Sequence, residues 1–188
     1  MTSPILTVAN QITILRMALA PLLAVLIVYR EFTWALVVFV VAAVSDLLDG
    51  WIARLGHQKT TFGAMMDPMA DKVLLSSCFV ALTWGPNVEP RIPMWLTVTT
   101  LSRDLIILVS VAIVNLTLGR RMFYPSTLGK LSTLSQVLTA GVVLLENAAG
   151  AVYEYQRWLF VGTLALTVAS ALHYTYLAST GRTGTETS

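Results

Sequence analysis

SDLLDGWIARLGHQKTTFGAMMDPMADK, residues 45–72, sets Asp46, Asp49, Asp67 and Asp71 beside Gly50, Arg54 and Gly63 inside otherwise apolar sequence. The spacing is Asp46-x2-Asp49-Gly50-x2-Ala53-Arg54-x8-Gly63-x3-Asp67-x3-Asp71. It predicts two helices joined by a short loop. Residues three or four apart share a helix face, so Asp46, Asp49 and Ala53 line one face of the first helix, and Gly63, Asp67 and Asp71 one face of the second. Where those faces meet, four carboxylates converge.

The chain around this stretch has 188 residues, 56% hydrophobic and 12% charged, against a charged fraction of about a quarter in soluble domains. Residues 1–188 therefore read as one polytopic membrane domain. The net charge of +2 argues for no nucleic-acid partner, because the basic residues are scattered through short loops and form no patch. Cys78 stands alone in an apolar run, which excludes a disulfide framework and predicts a buried, inert thiol. The N-terminus lacks the basic lead-in of a secretory signal, and the apolar run after Arg16 is long enough to remain as a span.

Hydropathy divides the chain into six candidate spans, each near the roughly 20 residues a membrane helix needs. They cover Gln11 to Tyr29, Phe32 to Arg54, Thr61 to Trp84, Met94 to Leu118, Leu131 to Leu145 and Trp158 to Leu177. The expected fold class is all-α, an integral membrane protein of six transmembrane helices. Residues 3 to 10 read as a short interfacial segment or a disordered start, and residues 179–188 as a disordered polar tail. Pro21 is tolerable inside a span because neighbouring helices satisfy the freed carbonyl. Asn10, Thr13 and Arg16 share a face at the near end of the first span, where an arginine needs a partner. Trp34, Trp51, Trp84, Trp95 and Trp158 fall near span ends, the ordinary interfacial belt.

Six spans put both termini on one side, together with the second–third and fourth–fifth loops. That side carries Arg16, Arg54, Lys59, Lys72, Arg120, Arg121, Lys130 and Arg182, and the other Arg30, Arg91 and Arg157. The positive-inside rule makes the richer side cytoplasmic, and with it both termini and the aspartate motif.

An aspartate at the centre of a span costs roughly 2.5 to 3.5 kcal/mol, so four left bare would cost on the order of 10 kcal/mol. Nearby cations are too few to neutralise them. Carboxylate oxygens converging at helical spacing suit a hard divalent ion, Mg²⁺ or Mn²⁺, bound along with substrate phosphates. Gly50, Ala53 and Gly63 keep the space between the helices open; close small-residue packing would explain them singly but not the aspartates beside them. Arg54, at the mouth, can clamp a phosphate through its planar fork. Asp104 beside Arg103 reads equally as a structural ion pair and as a functional one. His57 reads as a solvated loop residue and His173 as a packed or interfacial one.

The run Asp46-Leu-Leu-Asp49-Gly50-Trp-Ile-Ala53-Arg54, then eight residues, then Gly63-Ala-Met-Met-Asp67-Pro-Met-Ala-Asp71, resembles the signature of the CDP-alcohol phosphatidyltransferases at every defining position. Asn10-Gln-Ile-Thr13-Ile-Leu-Arg16 and Gly129-Lys130 are similar to features of its phosphatidylglycerophosphate and cardiolipin synthase branches. The likeness runs over about residues 8 to 145 and weakens in the last span. It implies a six-helix membrane fold, usually a homodimer, whose cytoplasm-facing cavity binds a CDP-linked lipid, transfers its phosphatidyl group to an alcohol and releases CMP. It further implies that Asp46, Asp49, Asp67 and Asp71 are metal ligands, with a pair of Mg²⁺ or Mn²⁺ ions expected. Asp71 would also be the base for the acceptor hydroxyl, and Gly50, Ala53, Arg54 and Gly63 would hold the cytidine diphosphate. The residue chemistry agrees, because metals clamp a diphosphate and stabilise charge on the leaving CMP, while one carboxylate can accept a proton. Two other classes stay open: a membrane prenyltransferase, which also holds a diphosphate on Asp-rich helices, and an ion transporter with carboxylates at the midplane.

Thr13, Arg16, Arg103, Arg120, Arg121 and Lys130 are the candidate acceptor-phosphate residues. The basic cluster among them suits an acceptor carrying its own phosphate, glycerol 3-phosphate and phosphatidylglycerol alike. Phosphatidylglycerophosphate synthases resembling this chain place a second arginine eight residues after the one matching Arg103; here that position is Val111. Ser102-Arg103-Asp104, followed by Pro125-Ser-Thr-Leu-Gly129-Lys130-Leu-Ser-Thr, looks more like the cardiolipin synthases that use CDP-diacylglycerol. The expectation leans to phosphatidylglycerol, with glycerol 3-phosphate as the alternative.

Overall fold

A computed structural model describes the backbone over residues 8–56, 61–86, 88–117, 127–152 and 154–179, and the side chains over residues 15–45, 72–86, 88–110, 127–152 and 154–175. The described residues form α1 (Val8–Val28), α2 (Phe32–Gly56), α3 (Thr61–Trp84), α4 (Met94–Thr117), α5 (Thr127–Ala149) and α6 (Gln156–Ser179). The all-helical expectation holds, and α3 has the expected bounds. Helix α1 starts at Val8, taking in the end of the segment expected to lie at the interface. Helices α5 and α6 overrun their hydropathic cores at both ends, so Ser179 is helical and does not belong to the tail, whose remaining residues lie outside those described. Hydropathy stops at Lys130 and Glu146, whereas the helix continues through the polar turns beyond, where side chains also bond to the carbonyl one turn back. Thr133 Oγ1 donates to the Gly129 carbonyl at 3.2 Å, and Asn147 Nδ2 to that of Val143 at 2.8 Å. The stretch of α5 and the Gln156–Thr175 part of α6 are long and apolar enough to cross a membrane.

The chain divides into two compact units, Met1–Ile92 with Ala140–Tyr153, and Pro93–Thr139 with Glu154–Ser188. In the first, α1 packs against both α2 and α3. It buries Arg16, Ala20, Leu23 and Ile27, whose spacings of four, three and four form one helical stripe. Helix α2 buries Ala35, Phe39 and Ala42 in the same rhythm, and α3 buries Leu74, Leu75, Cys78, Phe79 and Leu82. The alanines let backbones approach closely, the usual source of packing energy where lipid replaces water. Phe39 lies over Gly141 of α5, where a Cβ would sit 3.5 Å from its ring. The turn after α3 is pinned by Asn147, whose Oδ1 accepts the Glu89 N–H at 3.1 Å while Nδ2 donates to the Pro90 carbonyl at 2.9 Å.

The second unit is polar inside. Helix α4 packs on α6, and beside the apolar Leu96 and Phe160 the buried residues are Thr97, Thr100 and Arg103 on α4, Ser132, Gln136 and Thr139 on α5, and Gln156, Thr163, Thr167 and Ser170 on α6. Large apolar side chains are exposed instead, Leu105 at 61% and Leu172 at 67%. A protein in water has no reason to invert its pattern this way, because broad exposed apolar surface marks contact with lipid or a partner. The buried hydroxyls stay satisfied. Thr139 and Thr163 share a hydrogen bond at 2.8 Å, Ser132 and Thr167 one at 3.3 Å, and Thr167 also donates to the Thr163 carbonyl at 2.7 Å.

Candidate active site

The aspartate motif falls on two helices, as its spacing predicts. Asp46, Asp49, Gly50, Ala53 and Arg54 lie in α2, and Gly63, Asp67 and Asp71 in α3; their side chains lie outside the described residues. Helical register puts Asp46, Asp49 and Ala53 at i, i+3 and i+7, and Gly63, Asp67 and Asp71 at i, i+4 and i+8. The connection from Gly56 to Thr61 can span at most roughly 18 Å, and both helices pack on α1. Pro68 sits within α3, where it has no N–H to donate to the Ala64 carbonyl. Four carboxylates at these positions are a hard-oxygen donor set of the kind divalent cations take.

Of the candidate acceptor residues, Arg16 is buried on α1, in the first unit. Arg103 is buried on α4 and Lys130 exposed on α5, both in the second. The side chain of Thr13, and Arg120 and Arg121 entirely, lie outside the described residues. Arg103 is the best-defined member. Its Nη1 donates to Asp104 Oδ1 at 2.7 Å and its Nη2 to Ser170 Oγ at 2.6 Å, while Nε is buried with no acceptor among the described residues. The ion pair expected as one of two readings is therefore present, but it does not exhaust the guanidinium. A guanidinium carries five N–H donors in a rigid plane, and leaving one buried and unmade costs about 1–3 kcal/mol or more for a charged group. A ligand oxygen at that edge would recover the loss. His173 is half-buried, its Nδ1 unbonded among the described residues.

Ser170 was not legible as a site residue. The available signal was the spacing of Thr163, Thr167 and Ser170, which reads equally as ordinary packing of small polar residues inside a span.

The sequence model of the CDP-alcohol phosphatidyltransferases matches residues 6–169. The chain belongs to that family. The match extends past residue 145, where the likeness was expected to fade, and ends one residue short of Ser170. Membership of this membrane-associated family displaces the prenyltransferase and ion-transporter alternatives. The phosphatidyltransferase is 34% identical to a cardiolipin synthase (CMP-forming) of Streptomyces coelicolor, over 86% of its own length and 77% of the relative's. It is 33% identical to the human protein of the same name, over 89% of its length but 60% of the relative's. A probable phosphatidylglycerophosphate synthase of Mycobacterium tuberculosis is 30% identical, over 90% and 80%.

Proposed function

We propose that the phosphatidyltransferase moves the phosphatidyl group of CDP-diacylglycerol onto the free hydroxyl of phosphatidylglycerol, forming cardiolipin and CMP. The observation that carries the acceptor choice is the Arg103–Asp104 pair at 2.7 Å. The carboxylate offsets part of the guanidinium charge, and Val111 stands where a second arginine would restore it. A phosphomonoester such as glycerol 3-phosphate carries about −1.5 to −2 charge at pH 7, whereas the phosphodiester of phosphatidylglycerol carries one. The reduced cation suits the diester, and two of the relatives above are named for the same product. Glycerol 3-phosphate is the second reading, favoured by the Mycobacterium relative.

In the reaction the acceptor oxygen bonds to the phosphatidyl phosphorus as the bond from that phosphorus to the CMP oxygen breaks. Asp71 takes the hydroxyl proton. Asp46, Asp49, Asp67 and Asp71 hold Mg²⁺ or Mn²⁺, while Gly50, Ala53, Arg54 and Gly63 hold the cytidine diphosphate. A bound divalent cation supplies charge to the diphosphate and the departing CMP. Thr13, Arg16, Arg103, Arg120, Arg121 and Lys130 serve the acceptor phosphate. The chain crosses the membrane six times with the motif cytoplasmic and assembles as a homodimer. The Lys/Arg bias of the loops supports that orientation, and Trp34, Trp84, Trp95 and Trp158 are all exposed near helix ends, as interfacial residues are.

Purified protein given CDP-diacylglycerol and Mg²⁺ or Mn²⁺, with labelled phosphatidylglycerol or glycerol 3-phosphate, is expected to yield cardiolipin and CMP, and EDTA to stop both. Phosphatidylglycerol phosphate as the main product would overturn the acceptor choice. Full activity in EDTA would overturn the metal.

A further inference from the structure

Ser170 differs from the hydroxyl column that it continues. On α6, Gln156, Phe160, Thr163, Thr167 and Ser170 are buried at alternating spacings of four and three, a single stripe of the helix. Thr163 and Thr167 bond to Thr139 and Ser132 of α5, which sets the register of α6. Ser170 instead accepts a hydrogen bond from a charged group, Arg103 Nη2 of α4, at 2.6 Å. Both ends are enclosed, Ser170 fully and Arg103 at 5% exposure. Asp104 also holds the guanidinium, but it is the next residue on the same helix. Ser170 supplies the second anchor, from another helix. Acceptors on two different nitrogens fix the plane of a rigid guanidinium, and Nε–H, which has no acceptor among the described residues, is then held in one direction. A neutral oxygen does this without cancelling more of the charge; a second carboxylate would cancel it.

We infer that Ser170 is a positioning residue, which holds the Arg103 guanidinium so that its Nε–H edge meets the phosphate of the acceptor. This rests on the reading of Arg103 as an acceptor ligand and adds a residue beyond the end of the family match at residue 169.

The test is steady-state kinetics of the full chain in mixed micelles, with the KM values for CDP-diacylglycerol and phosphatidylglycerol measured separately. Ser170→Ala is expected to raise the acceptor KM about tenfold while the donor KM and kcat stay within about twofold. Ser170→Thr and Ser170→Val match in volume and differ in the hydroxyl, so Thr keeps the parent acceptor KM and Val loses it. This pair decides the matter if the alanine variant does not fold. An unchanged acceptor KM in both hydroxyl-free variants, or a donor KM that rises in step, overturns the positioning role. Arg103→Lys separates the two layers. If it raises the acceptor KM and the loss of the Ser170 hydroxyl does not, Ser170 has no positioning role and the acceptor reading stands; if it leaves the acceptor KM unchanged, both fall.

Discussion

A carboxylate that only holds a cation and one that also takes a proton respond differently when an amide replaces them. Asparagine keeps the size and one ligand oxygen of aspartate but accepts no proton at working pH. Asp71→Asn is therefore expected to retain CDP-diacylglycerol binding while kcat falls by roughly 10²- to 10⁴-fold. Asp46→Ala, Asp49→Ala and Asp67→Ala remove ligand oxygens outright and are expected to lose donor binding as well as turnover. Equilibrium donor binding beside single-turnover CMP release distinguishes the two classes, and loss of donor binding in Asp71→Asn would make Asp71 chiefly a ligand. The aspartates were readable in sequence because four carboxylates in apolar surroundings have no inexpensive structural explanation. A buried serine has one, so nothing in the sequence singled out Ser170.

At the level of helices, most of the side chains that the second unit buries are polar, so its packing is specified largely by hydroxyls. The Thr139–Thr163 bond at 2.8 Å joins α5 to α6. Interhelical bonds of this kind contribute about 0.6 kcal/mol on average in membranes, and at most about 1.7. Thr139 also donates to the Ser135 carbonyl, so it keeps a partner when Thr163 is changed. Thr139→Val and Thr163→Val are each expected to cost about 0.5 to 1.5 kcal/mol, and the double variant little more than the costlier single. Reversible unfolding in mixed micelles measures this. Fully additive losses would show that the two hydroxyls act separately.

Over the whole molecule, orientation is the property that charge distribution alone predicts. Cys78 is buried with no exposed surface, so an introduced cysteine reports its own side against a silent background. With an impermeant maleimide on intact cells, Glu154→Cys is expected to label and Lys59→Cys to label only after permeabilisation. The reverse pattern would place the aspartate motif on the other face of the membrane.

Local spacing and residue type were enough to read the helical class, the division of the motif between α2 and α3, and the family, because helical periodicity and a set of carboxylates in apolar sequence are both properties of short stretches. It placed α3 at its observed bounds but stopped α5 at Lys130 and Glu146. Hydropathy registers a charge and cannot register the backbone hydrogen bonds that continue a helix past it. Which polar residues meet was settled by packing between helices. Arg103 and Ser170 lie 67 residues apart, and their contact depends on the register of two helices that no spacing within either one encodes. Burial is decided in the same way: Arg103 and Lys130 read alike as cations in sequence, yet one is enclosed with an N–H unmet among the described residues and the other is exposed, because enclosure is conferred by the neighbouring helices.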